Sequence, residues 1–340
     1  MSTRRLKIPL LPMEATTVDE IPVGREWQYE PKWDGFRCVA FRRGSRITLQ
    51  SKSGKPLTRY FPEVAAELAK LKATDFALDG EIVIAVGKHL SFNDLLMRIH
   101  PAASRVRTLS EETPATYIVF DMLENESASI IDQPLERRRK QLEAFAKKEF
   151  KRAKRIELSP ATRDVKIARK WFKSAGKALD GIIAKRADFG YRSDDRSGMQ
   201  KIKKQRTVDC VVGGFRYGTN SKLVGSLLLG LYDKEGLLNH VGFTSGIARA
   251  EKAALTKKLE KLIGPPGFSG KAPGGPSRWS TERSTKWEPL KPKLVVEVEY
   301  DHFTGGRFRH GTKLLRWRPD KSPRQCKMEQ VSQAGARASF

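Results

Sequence analysis

Four residues hold most of the chemistry this chain can offer. They are Lys32, Asp34, Gly35 and Arg37, inside the string EPKWDGFR that runs from Glu30 to Arg37. An Asp-Gly pair is the usual centre of a tight hairpin turn, and a turn alone would account for Asp34 and Gly35. It leaves the flanking lysine and arginine unexplained. A lysine amine attacks phosphorus only when unprotonated, and nearby cations lower a lysine's pKa toward neutrality. The same cations would bind a triphosphate and offset its charge. A glycine beside the lysine lets the backbone approach a nucleotide closely. In this reading Lys32 is a nucleophile, Asp34 orients it, and Arg37 holds the sugar or the phosphates.

Further strings follow along the chain: SKSG (Ser51–Gly54), LDGEIV (Leu78–Val83), YIVFD (Tyr117–Asp121), DGIIAK (Asp180–Lys185), QKIKK (Gln200–Lys204) and RPDK (Arg318–Lys321). Each has a plain structural explanation when taken alone. LDGEIV reads as a turn before a strand, Phe120 as a core aromatic, QKIKK as a solvated basic stretch and RPDK as a charged turn. Lys201 and Lys203 are two apart, so on a strand they point to one face.

These strings need elements to carry them. Apolar, β-branched runs read as strands at Ile82–Val86, Tyr117–Phe120, Gly181–Ala184, Val208–Val212, Ser226–Tyr232 and Leu294–Tyr300. Helical spacing covers Glu63–Lys72, Leu135–Phe150 and Ala248–Ile263. Few helices stand as crossovers between strands, so the class is α+β with sheets at least partly antiparallel. The stretch Gly264–Arg278 is rich in Gly and Pro and reads as a long surface loop. A boundary falls near Gln205–Val208, and the residues from about Glu329 read as a frayed polar tail.

The 340 residues suffice for two domains, and the net charge of +26 favours a polyanionic partner, nucleic acid first. No run reaches the roughly 18 apolar residues of a membrane span, and the start of the chain does not read as a signal peptide, so the expected address is cytoplasmic. Cys38, Cys210 and Cys326 lie far apart, without the spacing of a zinc site or a disulfide framework.

From Pro12 to Pro323, the motifs in this order resemble the covalent nucleotidyltransferase superfamily of DNA ligases, RNA ligases and mRNA capping enzymes. The resemblance is to ATP-dependent DNA ligases of the bacterial ligase C and ligase D ligase-domain type. It implies an α+β, ATP-grasp-like adenylyltransferase domain over residues 1–205, an all-β OB-fold domain over 206–327 and a polar tail over 328–340. It implies that Lys32 carries AMP and that Glu30, Arg37, Glu81, Phe120, Lys201 and Lys203 contact ATP, with Phe120 stacked on adenine and Asp79 supporting Glu81. Glu81 and Asp180 would hold Mg²⁺ or Mn²⁺, and Lys52 the nick 5′-phosphate. Arg318, Asp320 and Lys321 would orient pyrophosphate while Lys32 is loaded, with flexibility near residues 205–208 allowing that domain to move. The chain departs from the pattern at three positions: Asp180 stands for a glutamate, Lys52 for an arginine and Met199 for a tryptophan. The implied partner is nicked duplex DNA, with repair proteins as further partners, no membrane and a monomeric enzyme. An RNA ligase or capping-type nucleotidyltransferase is the runner-up; SFNDLLMR, Ser91–Arg98, matches DNA ligases better. A catalytically silent DNA-binding protein is the third reading, against which the intact Lys32, Asp34 and Arg37 stand.

Overall fold

Asp34 and Gly35 do not close a hairpin. The strands on either side of them, Trp27–Trp33 and Phe36–Arg43, belong to different sheets, so the Asp-Gly step carries the chain from one sheet to the other. A computed structural model describes residues 5–87, 89–126, 128–174, 179–204, 206–274 and 286–333. The chain divides into two compact units, Met1–Lys204 and Gln205–Phe340.

In the first unit a four-stranded sheet runs in the order Thr16–Thr17, Met199–Lys203, Leu179–Arg186, Trp27–Trp33. Its first pairing is parallel and the other two are antiparallel. The second sheet runs Ile156–Leu158, Thr116–Asn125, Asp75–Val83, Phe36–Arg43, Arg46–Ser51, with Ala128–Ser129 pairing on Thr116–Asn125. Here only Ile156–Leu158 joins in parallel.

Side chains alternate across a strand, so each sheet has two faces to cover. The helices Pro62–Ala69 and Leu135–Glu149 bury Val64, Leu68, Leu142 and Phe145 against Cys38, Ala40, Leu78, Tyr117 and Val119 on one face of the larger sheet. Its other face turns Val39, Phe41 and Ala77 toward Met199 and Ile183 of the smaller sheet. The outer face of the smaller sheet packs Tyr29, Ile182, Ala184 and Ile202 against the helix Val165–Ser174. The result is helices, sheet, sheet, helix. Fully burying each Leu, Phe or Ile contributes about 1.5–3 kcal/mol, which holds the two sheets face to face.

The second unit holds an antiparallel sheet whose five main strands run in the order Leu238–Thr244, Val224–Tyr232, Arg206–Tyr217, Val295–Tyr300, Lys313–Trp317, with the short strand Glu288–Pro289 pairing on Arg206–Tyr217. A parallel bridge between Thr244 and Thr312 joins the two edges, closing the sheet on itself. The helix Lys252–Glu260 lies between the third and fourth of these strands in chain order. A closed five-stranded barrel of this order is the OB architecture.

All but one of the expected strands begin earlier than the sequence pattern suggests; Val295–Tyr300 begins one residue later. LDGEIV lies inside the strand Asp75–Val83, not before it. Three helices were not read from the sequence: Phe92–Arg98, Ala103–Glu112 and Val165–Ser174. The first is capped by the Ser91 hydroxyl, which accepts from the Asp94 N–H. Residues 264–274 of the expected loop contain no helix or strand, and 275–278 lie outside the described residues, as does Gln205. The expected polar tail begins with a helical turn, Glu329–Gln333, because Val331 finds a place in the core of the second unit. Residues 334–340 lie outside the described residues.

Candidate active site

Register places the chemistry. Lys32 sits opposite Gly181, Glu30 opposite Ile183 and Gln28 opposite Lys185, while Ile183 and Gly181 meet Lys201 and Lys203 on their other side. With a period of two, Gln28, Glu30 and Lys32 share a face with Ile183, Lys185, Met199, Lys201 and Lys203. The facing sheet aligns Arg37 with Glu81 and Glu81 with Ile118. Between the sheets lies a cleft of about 430 Å³ lined by Glu30, Lys32, Arg37, Glu81, Phe120 and Lys185, among others.

Glycines let the walls of this cleft approach each other. A Cβ on Gly35 would lie 2.2 Å from the Ile82 carbonyl oxygen. One on Gly181, where φ is +149°, would lie 2.0 Å from the Ile202 carbonyl oxygen. The register slips between Leu179 and Gly181, a bulge that re-aims Asp180.

Lys32 forms an ion pair with Asp180, and Lys203 lies 3.6 Å from the same carboxylate oxygen. Asp180 is buried, so its charge is held by these cations. Arg37 donates two hydrogen bonds to Asp79, at 2.6 and 2.7 Å, and its guanidinium lies 4.6 Å from the Phe120 ring centre. Burial works against the Arg37 charge, but Asp79 outweighs it and holds the guanidinium charged. Burial pushes the Glu81 carboxyl up to about 7, against the pull of Arg37 and Lys32 and helped by the charges of Asp79 and Asp34. Lys201 is lowered by burial and by the charges of Lys203, Lys32 and Lys52.

Three contributors escaped the sequence reading. Lys185 and Glu30 form a buried ion pair at 2.7 Å, and Gln28 donates to the other Glu30 oxygen at 2.8 Å. The Lys185 ammonium also lies 4.3 Å from the Phe120 ring centre. Tyr191 donates to Asp79 at 2.6 Å and accepts from the Met13 N–H, fixing the carboxylate that holds Arg37. The period-two spacing from Gly181 through Ile183 to Lys185 was the available signal for Lys185. Tyr191 and Asp79 are 112 residues apart, and no local pattern announces the pair.

The remaining sequence candidates sit elsewhere. Lys52 is exposed and pairs with Glu14 at 2.7 Å, which also takes Arg196 at 2.8 Å. It does not line the cleft. In the second unit, Arg318 and Lys321 both reach Asp209, and Arg318 also holds Asp320 at 2.9 Å. The hydrogen bonds from Arg318 bring the exposed Asp320 down to about 2. Asp209 lies on the strand Arg206–Tyr217 and went unremarked in the sequence.

No helix among the described residues is long and apolar enough to cross a membrane. Residues 12–203 match the family described as ATP dependent DNA ligase domain, and residues 220–321 match the ATP dependent DNA ligase C terminal region. DNA ligase C2 of Mycolicibacterium smegmatis is 42% identical over 95% of this chain and 94% of its own. DNA ligase C of Mycobacterium tuberculosis is 40% identical over the same shares. A solved Lig E DNA ligase, only 14% identical, shares the fold with a TM-score of 0.57 over 90% of this chain and 100% of its own. A cleft that pairs a lysine with an acid between two sheets thus sits in a chain aligned from end to end with ligases of one kind, and the chain belongs to the ATP-dependent DNA ligases.

Proposed function

We propose that Lys32 is the residue that takes AMP from ATP and passes it to the 5′-phosphate of a nick in duplex DNA, which the 3′-hydroxyl then closes. The observation that carries this reading is the placement of Lys32 at the cleft, paired with Asp180 and sharing a face with Lys201 and Lys203. All three steps are displacements at phosphorus, so the protein's part is to position groups and neutralise charge. Adenine stacks on Phe120, beside the acceptor Glu30 and the donor Lys185. Arg37, fixed by Asp79, holds the ribose or phosphates, with Asp34 beside it. Lys201 and Lys203 meet the phosphates. Lys52 takes the nick 5′-phosphate once Glu14 releases it, and Arg318, Asp320 and Lys321 orient pyrophosphate in the first step.

Asp180 orients the Lys32 amine and must give it up as the new N–P bond forms. The amine sheds its proton to the carboxylate or solvent before it attacks, and as the N–P bond forms the α-phosphorus–oxygen bond to the β-phosphate breaks and pyrophosphate leaves. A divalent cation fits the donor set: burial raises the Glu81 carboxyl to about 7, and a cation bound there would favour its charged form. Mg²⁺ is held by one or two carboxylates together with substrate phosphates. Glu81 would supply one and Asp180 the second, and the ion, Mg²⁺ or Mn²⁺, would neutralise phosphate charge. The substrates, ATP and DNA, place the enzyme in the cytoplasm, acting as a monomer in DNA repair alongside other repair proteins.

The test is incubation with α-labelled ATP and Mg²⁺ followed by peptide mapping. Label is expected on Lys32 and absent from Lys32→Ala. Undiminished labelling of that variant would remove the proposal.

A further inference from the structure

The helical layer of the first unit lies on the side of the larger sheet that the nucleotide cleft does not use. Val64, Leu68, Leu142 and Phe145 pack on one face of that sheet, while Arg37, Glu81 and Phe120 project from the other. Two segments of this layer are tied together by buried carboxylates. Glu149 accepts from the backbone N–H groups of Lys72 and Ala73, at 2.6 and 3.1 Å. Glu67 accepts from the backbone N–H of Lys154 at 2.6 Å. The ties gather six exposed cations into one surface: Lys72, Lys147, Lys148, Lys151, Arg152 and Lys154. Among the described residues, none of the six has a carboxylate within ion-pair distance. Glu67 and Glu149 are buried and committed to backbone donors, Glu67 also to Lys70 at 2.5 Å.

Cations at a helix C-terminus complement its dipole, which accounts for Lys147 and Lys148 at the end of Leu135–Glu149. It does not account for Lys72, Lys151, Arg152 and Lys154, which lie outside that helix. Five lysines and one arginine on flexible stems match the evenly charged phosphate backbone of a duplex. A duplex seated at the nucleotide cleft reaches it between the two sheets, not across the helical layer that carries these cations. We propose that this cationic surface holds a second duplex segment, distinct from the one bearing the nick, through its phosphates alone. An enzyme built this way bridges two stretches of DNA while it seals one of them.

The test uses the whole enzyme bound to an immobilised nicked duplex, to which a fluorescent intact duplex is added at about 0.1 M salt. The wild type should retain the second duplex, with a log–log salt dependence of retention. Lys151→Gln/Lys154→Gln removes two contacts, so the slope should fall by about 1.8 and retention by roughly 60-fold, each contact contributing about 0.9 to the slope. The charge-matched pair Arg105→Gln/Arg107→Gln, exposed on the helix Ala103–Glu112, should behave as wild type. Self-adenylylation should be unchanged in both. Lys72→Gln/Arg152→Gln repeats the measurement should the first variant melt early. Retention of no second duplex by the wild type overturns the proposal, as does equal loss in the patch and control variants. So does retention by both patch variants at the control level.

Discussion

Gly181→Ala is the substitution whose consequence can be worked furthest from the geometry. The added Cβ would stand 2.0 Å from the Ile202 carbonyl oxygen, on the strand that carries Lys201 and Lys203. Ordinary contact begins at 3.4 Å, so that strand must retreat by about 1.4 Å, or the bulge beside Asp180 must rotate. Misplacement of this size costs on the order of 10²-fold in rate. The φ of +149° adds strain for any side chain. Strain and overpacking each cost about 1–3 kcal/mol, against a whole-domain stability of about 5–15 kcal/mol, so the variant should fold but melt earlier. The assay is single-turnover self-adenylylation with labelled ATP, read beside thermal unfolding. Gly87→Ala separates the two effects: its φ is +58° with nothing within 4 Å of the new Cβ, so it should lose a little stability and no rate. If Gly181→Ala loads AMP at the parental rate, the close approach of these two strands does not set the position of the cleft's lysines.

Three further outcomes follow from the same structure. Asp180→Ala, which frees both Lys32 and Lys203, should fail to load AMP at any Mg²⁺ concentration; a parental rate across the titration would leave Asp180 with a structural part only. Asp320→Ala should lose self-adenylylation yet still seal a pre-adenylylated nick supplied without ATP, and the reverse pattern would assign RPDK to DNA clamping; Asp320 is exposed, and Arg318 keeps Asp209 as its partner. His240 is held down to about 3 by burial and by the charges of Arg307 and Arg216, so below its ordinary 6.5 the unfolded chain takes a proton that the fold refuses. Stability of the second unit should therefore fall as pH drops from 6.5, by about 2 kcal/mol at pH 5, and urea unfolding of His240→Gln should lack that slope.

The order of motifs along the chain was legible because each is a short string with fixed spacing, and the alternation of Lys201 and Lys203 foretold a shared face. The Asp-Gly pairs misled at the level of local structure. In Leu78–Val83 the pair lies within a strand, where Gly80 is needed because a Cβ there would stand 2.5 Å from the Ile118 carbonyl oxygen. A glycine required by a neighbour from a distant segment looks, in sequence, like a glycine required by a turn. Glu30–Lys185, Asp79–Tyr191 and Asp209–Lys321 were hidden for a related reason: each joins residues more than a hundred positions apart. The helix Val165–Ser174 was missed because charge dominates its sequence, VKIARKWFKS, although Val165, Ala168 and Phe172 follow a helical face.

The cleft is balanced without nucleotide, and the balance shows what ATP must bring. Lys32 is matched to Asp180, Arg37 to Asp79 and Lys185 to Glu30. Glu81 stands outside these three pairs, and burial holds its pKa at about 7 despite Arg37 and Lys32 nearby. Under the proposed function, a triphosphate entering the cleft would bring negative charge to a site where burial already disfavours the charged form of Glu81. Its phosphates would compete with Asp180 for Lys32 and Lys203. A divalent ion held by Glu81 and Asp180 would offset that charge and would compete with Lys32 for the Asp180 carboxylate. Within this scheme the shorter reach of aspartate at position 180 is met by the bulge before Gly181, which turns that side chain toward the lysine.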